Sequence, residues 1–294
     1  MKNRTLMLCG RSVAIPAAPA DTCPSLSPAA LLPRTGVPHP HGYAPYGDLM
    51  TSFPLTDRFT AALALASQWH AGQYRKVPTG ETPVIPYLSH LLGVASIALE
   101  YGATEDQAIA ALLHDALEDG PANTGQTPAH LREQIAGTFG ESVALLVDDA
   151  TDDTPAPGQP KRPWPARKAG YLTSLHGKNA ASLLVSASDK LHNARTILAD
   201  VSTLPADQRA AYFDRFGQGH GGTLQYYRLL SDHYQAAPAA HNQTRLRALL
   251  HELDRTVTAL EHATGLTADQ TRRLPLLRDA QAPRSQDASG TASV

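Results

Sequence analysis

Three stretches of this chain concentrate side chains that could hold a metal ion or move a proton. The first is Ala110-Ala111-Leu112-Leu113-His114-Asp115-Ala116-Leu117-Glu118-Asp119, in which one imidazole and three carboxylates close an apolar run. A His-Asp dipeptide by itself means little, because with 13 histidines in the chain chance supplies roughly one. Its setting means more. On a continuous helix His114 and Glu118 stand four apart, as do Asp115 and Asp119, so the group shares neighbouring faces of one turn. Carboxylates crowded in this way repel one another unless a cation or solvent intervenes. The bland alternative is a helix end frayed into water.

The second stretch is Ser188-Asp189-Lys190-Leu191-His192-Asn193-Ala194-Arg195-Thr196, following a nearly charge-free run from Ala180. Asp189, Asn193 and Thr196 fall on one helical face. A carboxylate emerging from an apolar run needs a partner, which is either a cation or an internal salt bridge to Lys190 or Arg195. The third is His90, in Pro86-Tyr87-Leu88-Ser89-His90 at the start of a helix; alone it reads more readily as a packing residue than as a ligand. Together His90, His114, Asp115 and Asp189 offer two imidazoles and two carboxylates from three helices. That mixed nitrogen and oxygen set suits a divalent ion such as Mn, Fe(II) or Zn. Four protein ligands on a six-coordinate ion leave positions for water and a phosphate oxygen. Nothing points to a nucleophilic serine or cysteine: no Gly-x-Ser-x-Gly elbow occurs, and Cys9 and Cys23 both lie near the N-terminus. Asp148, Asp149, Asp152 and Asp153 read as a solvated helix end.

The elements that must position these groups are helices. Phe59, Ala62, Leu63, Ala66 and Trp69 repeat at helical spacing, and Tyr87 to Tyr101 carries Leu88, Leu91, Leu92, Ala95 and Leu99. Thr104 to Gln107 is a capping box that opens the helix leading into His114. Leu131–Phe139 and Glu141–Val147 read as helices split at Gly140. Ala180–Leu198, Ala206–Phe216, Thr223–Tyr234 and Leu246–Ala263 complete the set. Gly72 to Tyr87 and the proline-rich 155–165 are loops, and no segment reads as a strand. The expectation is an all-α protein. One helical domain spans residues 51–265, between a disordered Pro-rich segment at 1–50 and a mostly disordered tail at 266–294. Met50 directly precedes the first good helix and is a candidate translation start, which mass spectrometry of the native N-terminus would test.

Bulk numbers narrow the classes. A net charge of -2 gives no basic excess for nucleic acid. No apolar run approaches the roughly 18 residues of a membrane span, and the short apolar core at Thr5–Cys9 is broken by Gly10-Arg11-Ser12. Cysteines are too few for a disulfide framework, so the expected compartment is the cytoplasm. Oligomeric state is not legible.

The ordered series of motifs resembles the HD-domain phosphohydrolases, and within them the hydrolase domain of the RelA/SpoT enzymes and the small Mesh1-like alarmone hydrolases. The series runs from His70-Ala71-Gly72-Gln73-Tyr74-Arg75-Lys76 through the segments around His90 and His114. It continues through Phe139-Gly140-Glu141 and Val147 to Asp152, and ends at Ser188 to Arg195, covering about 56–200. The resemblance implies metal-dependent release of pyrophosphate from the 3′ position of guanosine 3′,5′-bis(diphosphate) or the pentaphosphate. Manganese would be the usual ion, with Fe(II) or Zn as alternatives, and a small nucleotide the partner. His90, His114, Asp115 and Asp189 match the metal ligands, and Glu118 and Asp119 the acidic pair near the attacking water. Arg75 and Lys76 match the basic loop that meets the nucleotide, Asn193 a ribose contact, and Tyr226 a substrate-side tyrosine. Two departures fall near the expected nucleotide pocket: a longer loop after Lys76, and Ser186 where a lysine is common. They leave room for another nucleotide, such as NADPH or a nucleoside phosphate. A non-catalytic nucleotide-binding module is the rival from another class. The synthetase domain of the long enzymes has no room in this length, so hydrolysis rather than synthesis is expected.

Overall fold

The computed structural model describes residues 54–77, 82–152, 161–277 and 280. Residues 1–50, where a disordered segment and a start at Met50 are expected, lie outside the described residues. Eleven α-helices are described: α1 Asp57–Trp69, α2 Leu88–Glu100, α3 Glu105–Leu113, α4 Gly120–Thr124, α5 Pro128–Phe139 and α6 Glu141–Ala150. They continue with α7 Trp164–Ser174, α8 Ala180–Thr203, α9 Gly219–Ala236, α10 Thr244–Ala263 and α11 Ala268–Arg272. No strand occurs among the described residues, which have a single isolated bridge between Tyr74 and Pro86. The expected all-α architecture is what forms. No helix among the described residues is long and apolar enough to cross a membrane.

Local chemistry sets the helix ends. Thr104 caps α3 by accepting from the Gln107 amide, and the Gln107 side chain accepts from the Thr104 amide in return. Asn179 caps α8 by accepting from the Ser182 amide at 2.9 Å. Gly140, at φ 96°, separates α5 from α6 in a conformation only glycine adopts readily. The 24-residue α8 packs against α2, α3, α6 and α10. Its Leu183, Val185, Ala187, Leu191, Ala194 and Val201 are fully buried. Asp189 is therefore anchored on a helix that cannot shift without disturbing the core.

The structure departs from the sequence expectations in four places. The helix leading into His114 ends at Leu113, and 114–119 is a run of turns closed by hydrogen bonds from the Asp119 amide to Asp115 and the Gly120 amide to Ala116. Pro121 lies at the start of α4, where it lacks the N–H needed to continue a single long helix. Residues 211–215 form a short 3-10 turn instead of an α-helix over 206–216. Residues 164–174, not foreseen as an element, are α7. Finally, the chain stays packed beyond 265. α11 forms, and Leu277 and Ala280 join the core because the buried Gln225 side chain accepts from the Leu277 amide and donates to the Leu274 carbonyl.

Candidate metal centre and nucleotide cleft

α2 brings His90, the turn after α3 brings His114 and Asp115, and α8 brings Asp189 to one point. His90 Nε2 lies 3.2 Å from Asp189 Oδ1 and 3.7 Å from Asp115 Oδ2. His114 Nε2 lies 3.1 Å from Asp115 Oδ2 and 3.6 Å from Asp189 Oδ1. Ligands about 2.1 Å from one ion sit about 3 Å apart at right angles, so these separations fit a shared cation. The tautomers fit too. His114 Nδ1 is 2.8 Å from the Ala111 carbonyl and donates to it, leaving Nε2 a lone pair. That Nε2 is buried and, although close to Asp115, makes no well-formed hydrogen bond among the described residues, a condition that a metal ion would relieve. His90 Nδ1 is 2.9 Å from His192 Nδ1, which directs His90 Nε2 inward. His90, His114 and Asp115 thus form a group that could hold a metal ion, with Asp189 in reach of both imidazoles.

Charge at the point is finely opposed. Burial favours the neutral His114 ring, yet Asp115 and Asp189 raise its pKa well above the usual imidazole value. Burial pushes His90 the other way, downward, despite Asp189. Burial works against the Asp189 carboxylate as well, but Lys190 and both histidines hold it well below the ordinary range. Lys190 Nζ is 2.5 Å from Asp189 Oδ2, so the carboxylate has an internal salt bridge on one oxygen and the histidines on the other. Tyr87, half-buried three residues before His90, donates from its hydroxyl to Asp115 Oδ2.

Beside this centre opens a cleft of about 1020 Å³, large enough for a nucleotide. Asp115, Asp189, Glu118, Asp119, Arg75, Lys76, Asn193 and Tyr226 all line it. The structure therefore places these eight candidates around one cleft, beside His90 and His114. Glu118 Oε1 accepts from the Asp152 amide at 3.1 Å, and burial, then Asp115 and Asp152, push its carboxyl pKa up. Asp119 Oδ2 accepts from Gln73 Nε2 at 2.7 Å, and Gln73 Oε1 meets His70 Nδ1 at 2.7 Å. His70 is thus linked to the acidic pair without joining the ligand set. Arg75 donates to Asn193 Oδ1 at 3.1 Å, and Asn193 donates to Asp189 Oδ1 at 2.6 Å, coupling the basic loop to a ligand. The Tyr226 ring lies under Lys168 Nζ at 4.9 Å, and its buried hydroxyl has no hydrogen-bond partner among the described residues.

Two sequence readings change. Asp148, Asp149 and Asp152 are not a solvated helix end. Asp148 pairs with Arg132, Asp149 accepts from Ser182, and Asp152 pairs with Arg167 at 2.7 Å and Lys168 at 2.5 Å. Asp153 lies outside the described residues. Ser186 is not at the cleft: it is buried, donating to the Ser182 carbonyl and accepting from Tyr234. The altered loop does reach the cleft, through Val77, Thr82, Val84 and Ile85. Residues missed from the sequence are Lys168, Tyr212 and Arg215, which line the cleft from α7 and the 211–215 turn. Neither element was legible as such, so no signal pointed to them.

An all-helical scaffold that converges two histidines and two aspartates beside a nucleotide-sized cleft defines a class of metal-ready helical domains. The chain belongs to the HD domain family, whose model matches residues 62–213. Among relatives, the MESH1 guanosine-3′,5′-bis(diphosphate) 3′-pyrophosphohydrolase of Xenopus tropicalis is 33% identical over 138 residues, 46% of this chain and 67% of that protein. Human MESH1 is 30% identical over the same shares. A GTP pyrophosphokinase of Streptomyces coelicolor is 33% identical over 137 residues, but the match spans 14% of its length. Among solved structures, lmo0812 of Listeria monocytogenes EGD-e is 26% identical with a TM-score of 0.47, covering 60% of this chain and 97% of that one.

Proposed function

We propose that the protein is a metal-dependent phosphohydrolase that releases pyrophosphate from the 3′ position of guanosine 3′,5′-bis(diphosphate) or the pentaphosphate, leaving GDP or GTP, with manganese as its ion. The observation that carries this reading is the convergence of His90, His114, Asp115 and Asp189 at a cleft whose walls hold both an acidic pair and cations, Arg75 and Lys76, that pair with no carboxylate among the described residues. The substrate choice draws support from the MESH1 relatives, named for that reaction.

A divalent cation held by the four ligands supplies a Lewis acid for a phosphate oxygen and lowers the pKa of water. The chain's own groups do the rest. Glu118, with its carboxyl pKa raised, is suited to take a proton from water near neutral pH. The Asp152 amide fixes one of its oxygens. Asp119, held by Gln73, orients the same water. Arg75 and Lys76 offset phosphate charge as it grows. Asn193 faces the ribose, and Tyr226 lines the substrate side.

A turnover panel tests the reading: guanosine tetraphosphate, pentaphosphate, NADPH and simple nucleotides, each with Mn, Fe(II), Zn or no metal. The expected result is pyrophosphate from the alarmones with manganese. No pyrophosphate from either, with any ion, overturns it. NADPH belongs in the panel because Val77, Val84 and Ile85 of the longer loop give the cleft an apolar wall. Asp115→Ala is expected to lose both bound metal and turnover. Turnover retained in Asp115→Ala would exclude the assigned ligand role.

A further inference from the structure

The cleft extends well beyond the metal ligands, along the second half of α8 to the 211–215 turn, where Thr196, Asp200, Tyr212 and Arg215 line it. This far end is built in layers. The Tyr212 hydroxyl donates to Asp200 Oδ2 at 2.6 Å, which fixes the ring. The Arg215 guanidinium lies over that ring, 3.7 Å from its centroid, a favourable cation–π arrangement. Arg215 Nε donates to the Tyr212 carbonyl at 3.0 Å. One face and one nitrogen of the guanidinium are therefore engaged, and its two terminal nitrogens have no partner among the described residues. Asp200 accepts from Tyr212 through Oδ2 and makes no ion pair with Arg215 among the described residues.

The cations of the cleft divide accordingly. Lys190 is neutralised by Asp189 and Lys168 by Asp152. Arg75, Lys76 and Arg215 pair with no carboxylate among the described residues. Arg75 acts electrostatically on both His192, beside the ligands, and Tyr212, beneath Arg215. Unpaired positive charge thus runs from the metal end to the far end. A fork of free N–H groups, held from behind by stacking and a backbone bond, suits an anion with two or more oxygens.

We infer that Arg215, stacked on Tyr212, is the seat for the diphosphate that is not hydrolysed, the one on the 5′ side of the nucleotide. This rests on the alarmone reading, because a nucleotide with diphosphates at both ends of one sugar needs two separated anion sites. The metal end takes the reacting group, and the far end holds the group that stays on the product. Arg215 is a specificity-determining residue that meets substrate and product alike. Such uniform binding lowers KM without raising kcat.

The test uses the full chain loaded with manganese, as wild type, Arg215→Gln and Arg215→Lys. Steady-state constants are measured for guanosine 3′,5′-bis(diphosphate) and for guanosine 3′-diphosphate, which lacks the 5′ group, and the Kd of GDP is measured by calorimetry. Arg215→Gln is expected to raise KM for the bis(diphosphate) about 10- to 100-fold, the range for losing one charge-assisted contact. The rise should exceed that for guanosine 3′-diphosphate at least about tenfold, with the loss in KM rather than kcat and a parallel rise in the Kd of GDP. Arg215→Lys should fall between, since it keeps charge but loses the fork. Equal changes for both substrates, or an unchanged KM for the bis(diphosphate), overturn the assignment while leaving the proposed activity standing. Should wild type hydrolyse neither compound, the proposed activity fails and GDP binding alone decides. Weaker binding by Arg215→Gln then supports the anion seat, and equal binding removes it.

Discussion

At the scale of single residues, Glu118 shows how a site can work against its own fold. Burial raises its pKa first, and Asp115 and Asp152 add to the rise. A carboxyl whose folded pKa lies above its unfolded value, about 4.3, contributes stability that is fully present below that value. The contribution is lost as pH rises through the folded pKa. At neutral pH the ionised group is a burden, so in the metal-free protein Glu118→Gln should melt higher than wild type at pH 7, with the gap closing toward pH 4. Calorimetry in chelator checks it, and a Gln variant less stable across the whole range would contradict the assigned environment. The same variant should keep its metal and lose about 10²- to 10⁴-fold in kcat. Residue identity was the most legible layer of this protein. Two imidazoles and two carboxylates in apolar runs mark a candidate metal site, because buried charge without a partner is costly. Their supports were less visible. His192 is 102 residues from His90, and sequence spacing cannot show that their rings meet.

Elements decide whether the ligands meet, and the crossing of α2 and α8 is the clearest case. Gly93 leaves the space that the His192 ring fills; a Cβ there would lie 2.2 Å from it. Burial, then His90 and Arg75, push His192 down to about 4, so the ring is neutral and can accept from His90. Gly93→Ala must displace the ring and break that bond. Loss of such an outer partner typically weakens metal affinity about 10- to 100-fold, and a manganese titration reads it directly. Affinity equal to wild type would mean that His90 needs no support from His192. Helix existence and type were legible here for the long periodic segments, whereas ends were not. The turn from His114 to Asp119 looks helical in pattern, and only Pro121 hints that it stops. α7 hid behind Pro163 and Pro165, which read as loop residues although proline is well tolerated in a helix's first turn. The segment 206–216 read as a helix, so neither the 3-10 turn at 211–215 nor the placement of Arg215 on it was legible.

Over the whole molecule, the ligand set joins segments that are distant in the chain. His90 on α2, His114 and Asp115 after α3, and Asp189 on α8 belong to helices that pack on one another. Without a cation, the buried Asp189 and the half-buried Asp115 stand close together and repel, offset by the histidines and Lys190 and by hydrogen bonds from Tyr87 and Asn193. An ion that binds this arrangement and not the unfolded chain stabilises the whole fold by mass action. At a free concentration about 1,000 times Kd the gain is about 4 kcal/mol, or roughly 8–16 °C in Tm for a domain of this size. Stripping the metal should therefore lower Tm by that order, and adding manganese back should restore it in proportion to the logarithm of its concentration. Asp189→Asn should blunt the response by weakening a ligand, while Asp269→Asn, on the exposed face of α11, should leave it intact. A Tm indifferent to manganese in the wild-type protein would place the ion's binding, if any, outside this centre, because a clamp on three core segments cannot bind without stabilising them.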